Sequence, residues 1–270
     1  MRPSLFVLLL FFTASAQDAD SDSCEQRAAA PFTLTVKKDL PLLCAGIGSA
    51  GAALAVEHAA RPLTQDEING LSRNSVNRFD RSATYRYSES LDDLSDIFVY
   101  GILAAPFSLF TDRKIRGSAE TFSVMYAEAV MLAYALPAAG KGFFKRPRPF
   151  VYNPAVSPDE KLSREARVSF FSRHTTFAFA SACFTATVYG SYHPGSKLIP
   201  YVWAGGLGAA SAVGYLRFAA GAHFPTDILT GALAGTLVGY GVPYLHKSGG
   251  SAARVSVNPA GNGLCLSIRW

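Results

Sequence analysis

Long apolar blocks alternate with shorter polar segments along most of this chain. Six blocks have the length of a helix, at residues 40–56, 94–110, 121–139, 175–190, 198–216 and 228–245. Between residues 175 and 245 the only formal charges are Lys197, Arg217 and Asp227. A membrane span needs about 20 mainly apolar residues. Several of these blocks are shorter and rich in Gly, Ala, Ser and Thr, and the third holds Glu128. Small residues let helices approach closely, so the pattern predicts an all-α helical bundle, membrane-embedded with five or six spans. The same composition also fits the buried helices of a soluble domain.

The polar segments refine this outline. Arg2, an apolar run over residues 5–12 and Ala14-Ser15-Ala16 have the layout of a secretory signal. The expected division is a signal peptide over 1–16, a helical domain over 17–250 and a β-hairpin over 251–270. The hairpin follows from the alternation of Val255 and Val257, then Leu264, Leu266, Ile268 and Trp270, around a Gly- and Asn-rich turn. Arg113, Lys114 and Arg116 crowd one loop, which the positive-inside rule keeps cytoplasmic. The loops after the third and fifth blocks then face the periplasm. A cleaved signal followed by six spans would give the opposite result, so one of these premises must give way.

Residues 61–93 read as an ordered polar excursion. Thr64-x-x-Glu67 is a capping box flanked by Leu63 and Ile68. Ile68, Leu71, Val76 and Phe79 fall near one helical face, and Ser90-x-x-Asp93 is placed to cap the next helix. Arg73, Arg78, Arg81 and Arg86 either rim an anionic pocket or form a solvated face balanced by Asp66, Glu67, Asp80, Asp92 and Asp93. The net charge of +5 is modest, and no aromatic-basic pattern points to nucleic acid. The four cysteines show no zinc spacing; Cys183 reads as a small buried hydrophobe, while Cys24, Cys44 and Cys265 are open to pairing in an exported protein.

Three segments carry the chemistry. Lys141 and Arg148-Pro149 offer cations, with Lys145 and Arg146 between them, and the prolines beside Arg148 fix the backbone locally. Ser172-Arg173-His174 stands where an irregular segment meets the fourth block, a helix start suited to phosphate. Arg217-x5-His223-x3-Asp227 sets an imidazole just before a helix opened by Pro225, with a carboxylate one turn in. An Asp–His contact fixes the imidazole tautomer and leaves the other nitrogen free to attack. Together these residues supply cations for phosphoryl oxygens, a nucleophile, its orienting carboxylate and a second imidazole for the leaving group. His58, His193 and His246 lie outside any such pattern and read as structural.

The trio resembles the signature of the type-2 phosphatidic acid phosphatase superfamily, K-x6-RP, PSGH and SR-x5-H-x3-D. That superfamily shares a helical core among lipid phosphate phosphatases, class A bacterial acid phosphatases and vanadium haloperoxidases. The resemblance implies that Lys141, Arg148 and Arg217 bind phosphoryl oxygens, with Ser172 and backbone amides assisting. His223 would be the nucleophile, Asp227 its orienting partner and His174 the general acid. Phe171, Arg173 and Leu216 depart from the pattern, standing for Pro, Gly and Ser. Arg173 either adds a phosphate-binding cation at the rim or narrows the pocket. The activity so implied is metal- and cofactor-free hydrolysis of a phosphate monoester or diphosphate, with a membrane lipid phosphate as substrate. A soluble periplasmic acid phosphatase, a vanadate-dependent haloperoxidase and a silenced lipid-binding scaffold are the rival readings.

Overall fold

The computed structural model describes residues 30–59, 61–248, 254–260 and 263–269. The expected signal over 1–16 lies outside the described residues. The chain divides into two compact units, one of residues 30–248 and the other of residues 1–29 with 249–270. In the second unit, strands β1 (Arg254–Ala260) and β2 (Gly263–Arg269) pair antiparallel, with Arg254 opposite Arg269 and Ala260 opposite Gly263.

The first unit is helical. Its six long helices are α1 (Val36–Ala59), α2 (Glu89–Ala104), α3 (Ala119–Phe144), α4 (Arg173–Tyr192), α5 (Ile199–Ala219) and α6 (Pro225–Leu245). Each of the six apolar blocks falls on one of them. Helix α4 sits at the centre, against α2, α3, α5 and α6, while α1 lies on the outer face of α3. Ala178, Ala182, Cys183, Phe184 and Val188 of α4 are buried, as expected of a helix apolar on every side. Phe122, Tyr126 and Phe184 form the aromatic heart of the α3–α4 contact.

The α4–α6 contact is unusually close. A Cβ on Gly235 would stand 2.4 Å from the Thr176 carbonyl oxygen, and one on Gly239 would stand 2.2 Å from that of Ala180. Helix α6 therefore lies backbone against backbone on α4, the kind of approach that small residues permit. Its opposite face carries Leu229, Leu233 and Leu237, exposed by 59%, 62% and 64%. Leucines one turn apart, turned outward on a helix with almost no charge, are expected where the surroundings are apolar. Among the described residues, three helical stretches are long and apolar enough to cross a membrane: Glu89–Thr111, Ala119–Tyr152 and Pro225–Leu245. This is fewer than the five or six expected, because α4 and α5 trade apolar bulk for small and hydroxylated residues and α1 offers only the shorter apolar stretch Asp39–Ala55.

The unit has two distinct ends. The start of α2, the end of α3, the starts of α4 and α6 and the end of α5 gather at one. At the other, His193 after α4 meets Asp112 at 2.7 Å, and residues 30–35 run beside the end of α6 through the Phe32–Lys247 bridge. The basic Arg113–Arg116 turn lies at this second end.

The excursion over 61–93 is ordered but not built as expected. The Thr64 capping box is present, with Glu67 N–H donating to Thr64 Oγ1 at 3.2 Å and Thr64 N–H to Glu67 Oε2 at 2.8 Å. It caps only the short helix Gln65–Asn69. Val76 is buried and Phe79 is 58% exposed, so the supposed single helical face does not exist; two 3-10 turns break it. Ser88, and not Ser90, caps α2 by accepting from the Leu91 N–H. Two of the arginines are tied down locally, Arg73 over the Tyr85 ring and Arg81 donating to the Val76 and Asn74 carbonyls, while Arg86 lies over the Phe218 ring.

Candidate active site

Each motif owes its position to a helix end. Helix α3 stops at Lys145, whose left-handed backbone (φ 45°) turns the chain toward Arg146 and Arg148. Lys141 in its last turn is buried, and so is Arg148. Ser172 is the N-cap of α4, its Oγ accepting from the Thr175 N–H at 3.4 Å and from Thr175 Oγ1 at 2.9 Å. His174 follows within the first turn. Helix α5 ends just beyond Arg217, and the chain reverses at Gly221 (φ +73°). No other residue fits there, because a Cβ would stand 2.1 Å from the Arg86 carbonyl oxygen. That reversal delivers His223, and Pro225 then opens α6 as expected.

The three motifs therefore converge. Ser172 N–H donates to the Asp227 carbonyl at 3.1 Å, and His223 N–H to the Arg217 carbonyl at 3.3 Å. His223 is 1% exposed. Burial holds its imidazole well below the usual histidine range, and the nearby cations Arg148, Arg217 and Lys141 push it further down. The ring is thus neutral, with a lone pair available. Its Nδ1 stands 3.5 Å from Asp227 Oδ2, longer than a hydrogen bond, and has no hydrogen-bond partner among the described residues.

Asp227 is anchored by more than His223. Its carboxylate accepts from Arg146 at 2.8 Å, from the Phe224 N–H at 2.9 Å and from the Ser169 hydroxyl. Arg146 also donates to Asp80 at 2.7 Å and lies over the Phe224 ring. Asp80 is fully buried and takes the Thr226 N–H at 3.0 Å and its hydroxyl at 2.8 Å. Burial alone would raise the Asp80 pKa, but these hydrogen bonds, led by Arg146, bring it below the ordinary value. The excursion therefore braces the site through Asp80 and Arg146.

His174 has a partner that lies outside all three motifs. Its Nε2 is 2.8 Å from Asp96 Oδ1, on α2. Burial and then the Arg217 cation lower the His174 pKa, while the Asp96 contact pulls it upward. Arg217 is itself held by Asp92 at 2.6 Å and by the Ser95 hydroxyl at 3.0 Å. Arg173 differs from the other expected phosphate ligands, because its guanidinium lies over the Tyr134 ring of α3, 4.4 Å from the centroid.

Asp80, Asp92, Ser95, Asp96, Arg146 and Ser169 are the residues that sequence reasoning missed as parts of this site. Asp92, Ser95 and Asp96 share one face of the first turns of α2, spaced i, i+3 and i+4 on a helix that turns apolar beyond them. That spacing was the readable signal.

The PAP2 superfamily model matches residues 122–249, a stretch that contains all three motifs and stops short of the C-terminal strands. The crystal structure of Aquifex aeolicus LpxE is similar at 30% identity over 61% of this chain and 91% of that one, with a TM-score of 0.42. The first transmembrane PAP2 type phosphatidylglycerolphosphate phosphatase from Bacillus subtilis is similar at 22% identity over 77% of this chain and 95% of that one, with a TM-score of 0.40. No curated protein matches the chain.

Proposed function

The chain belongs to the PAP2 superfamily, and we propose that it is a metal-independent phosphatase acting on a lipid phosphate through a phosphohistidine on His223. The observation that carries this reading is a buried imidazole at a helix-end junction, within electrostatic reach of Arg148, Arg217 and Lys141. Lys141, Arg148 and Arg217 take the phosphoryl oxygens, and the first turn of α4 adds N–H groups and a positive dipole end.

His223 Nε2 attacks phosphorus, since Nδ1 is turned toward Asp227. The bond from phosphorus to the leaving oxygen breaks, and His174 gives that oxygen its proton. Arrival of a phosphate dianion offsets Arg217 and supplies His174 with a reason to hold that proton. Water then attacks phosphorus, the P–N bond breaks, and His174 takes the water's proton. Asp227 balances the charge that develops on His223, and Asp96 orients His174.

The lipid class is supported by the apolar outer surface and by Phe143 and Phe144, exposed by 83% and 56% beside the site at the end of α3. The basic turn at the opposite end supports an outward, periplasmic orientation of the site. Residues 30–35 share that basic end, so a cleaved signal and this orientation exclude each other if all six helices cross.

Phosphate release in excess chelator, from phosphatidic acid, phosphatidylglycerophosphate, a polyprenyl diphosphate, lipid A and a soluble aryl phosphate, tests the proposal. Turnover of one or more lipids that far exceeds the aryl ester is expected. Preference for the soluble ester would overturn the lipid assignment. Halide oxidation gained with vanadate, or binding without turnover, would overturn the phosphatase reading.

A further inference from the structure

At the end of the unit away from the phosphate site, three buried side chains from distant parts of the chain meet. Asp39 comes from the first turn of α1, Glu128 from the middle of α3, and His246 caps the end of α6. Their ligand atoms all lie within 4.8 Å of one another. His246 Nε2 is 3.0 Å from Asp39 Oδ1 and 3.3 Å from Glu128 Oε2. His246 Nδ1 contacts the Val242 carbonyl at 2.8 Å. A carbonyl only accepts, so Nδ1 carries the proton and Nε2 is the nitrogen turned toward both carboxylates. This is how an imidazole is presented to a metal, with its second nitrogen fixed by an outer hydrogen bond.

Glu128 supplies the independent observation. It is 1% exposed, and neither of its side-chain oxygens has a hydrogen-bond partner. A protonated Nε2 would serve Asp39, the nearer acid, and leave Glu128 a bare buried carboxylate. Such a group is costly unless a cation meets it. With ligand bonds of about 2.0–2.1 Å, neighbouring ligand atoms around a tetrahedral ion are about 3.3 Å apart, close to both distances from Nε2.

We infer that Asp39, Glu128 and His246 form a structural site for one divalent transition-metal ion of the zinc class, tying α1 to α3 and α6. One imidazole with two carboxylates suits zinc or manganese better than magnesium or calcium, which take all-oxygen ligand sets. Asp39, whose side chain is 10% exposed, is the edge by which the ion enters. Helix α6 separates this site from the phosphate site by 21 residues, about 30 Å of helix, so the ion takes no part in phosphoryl transfer.

The test uses the full-length protein in detergent, stripped with chelator, desalted and titrated with zinc or manganese alone. Bound metal is counted by elemental analysis and thermal unfolding is followed in parallel. One equivalent per chain and a raised Tm are expected, with binding weakened at least tenfold in Glu128→Gln. Asp39→Asn, at the edge of the cluster, provides a milder second variant should Glu128→Gln fail to fold. His174→Ala should keep the ion, which separates this cluster from the phosphate site. An unchanged Tm with no retained ion in the wild type would overturn the inference. So would an ion that survives both Glu128→Gln and Asp39→Asn, or one lost in His174→Ala.

Discussion

The two ends of the helical unit both gather charge around a buried imidazole, with opposite balance. At one end the cations Arg148, Arg217 and Lys141 act on His223, while Asp227 pairs with Arg146 and Asp92 with Arg217. At the other, two carboxylates converge on His246 and Glu128 has no hydrogen-bond donor. Cations act on the imidazole at the first end, and carboxylates meet it at the second. The balance of charge around a buried imidazole thus depends on which side chains packing brings to it.

The strongest way to break the contrast is to remove the nucleophile. His223→Ala should cut lipid phosphate turnover by about 10⁴-fold or more, with circular dichroism and Tm close to wild type. Turnover within tenfold of wild type would end the phosphohistidine mechanism. Asp227→Asn comes next, because it disturbs two functions together. A loss of about 10³-fold in kcat is expected from the disoriented His223. Stability should fall by about 3 kcal/mol as Arg146 loses a buried partner, measured by denaturant unfolding.

Asp96→Asn sharpens the picture within the site. Its carboxylate pulls the His174 pKa upward, so losing it lowers that pKa. The protonated acid then disappears at lower pH, and the alkaline limb of the kcat profile should shift toward acid, with kcat down by about 10- to 100-fold. A purely structural Asp96 would change Tm and leave the limb in place. The smallest effect belongs to Glu67, which hydrogen bonding by Arg167 lowers from 4.5 to about 2. A depressed acid stabilises the fold above its unfolded pKa, and that contribution is lost as pH falls from about 4.5 toward 2. The Tm difference between wild type and Glu67→Gln should therefore be small at neutral pH and vanish over that window.

The candidate site was legible as a cluster because Lys141, Arg148, His174, Arg217, His223 and Asp227 keep fixed short spacings at helix ends. The six long helices were legible from their apolar blocks. The bracing was not. Asp80 and Arg146 are 66 residues apart and Asp96 and His174 are 78 apart, joined only when the helices pack. In sequence Asp80 looked like an ordinary solvated charge balancing the arginines, and Asp96, inside the second apolar block, was not singled out. His246 was set aside for the same reason, since its partners Asp39 and Glu128 are far off along the chain. Ser90 read as the cap because its spacing to Asp93 was visible, while the Leu91 N–H goes to Ser88.

The glycine seam between α4 and α6 has a consequence for how this enzyme can vary. Asp227 and His174 ride on helices whose backbones touch, so their separation is set by that contact and not by side chains that can be exchanged. A methyl group at Gly235 would wedge the helices apart and carry the error some two turns along to the phosphate. Substitution there should read as lost turnover in a protein that still folds. Heredity can thus tinker with substrate choice in the loops and on the outward faces, but the seam behaves as a mould that admits almost no revision.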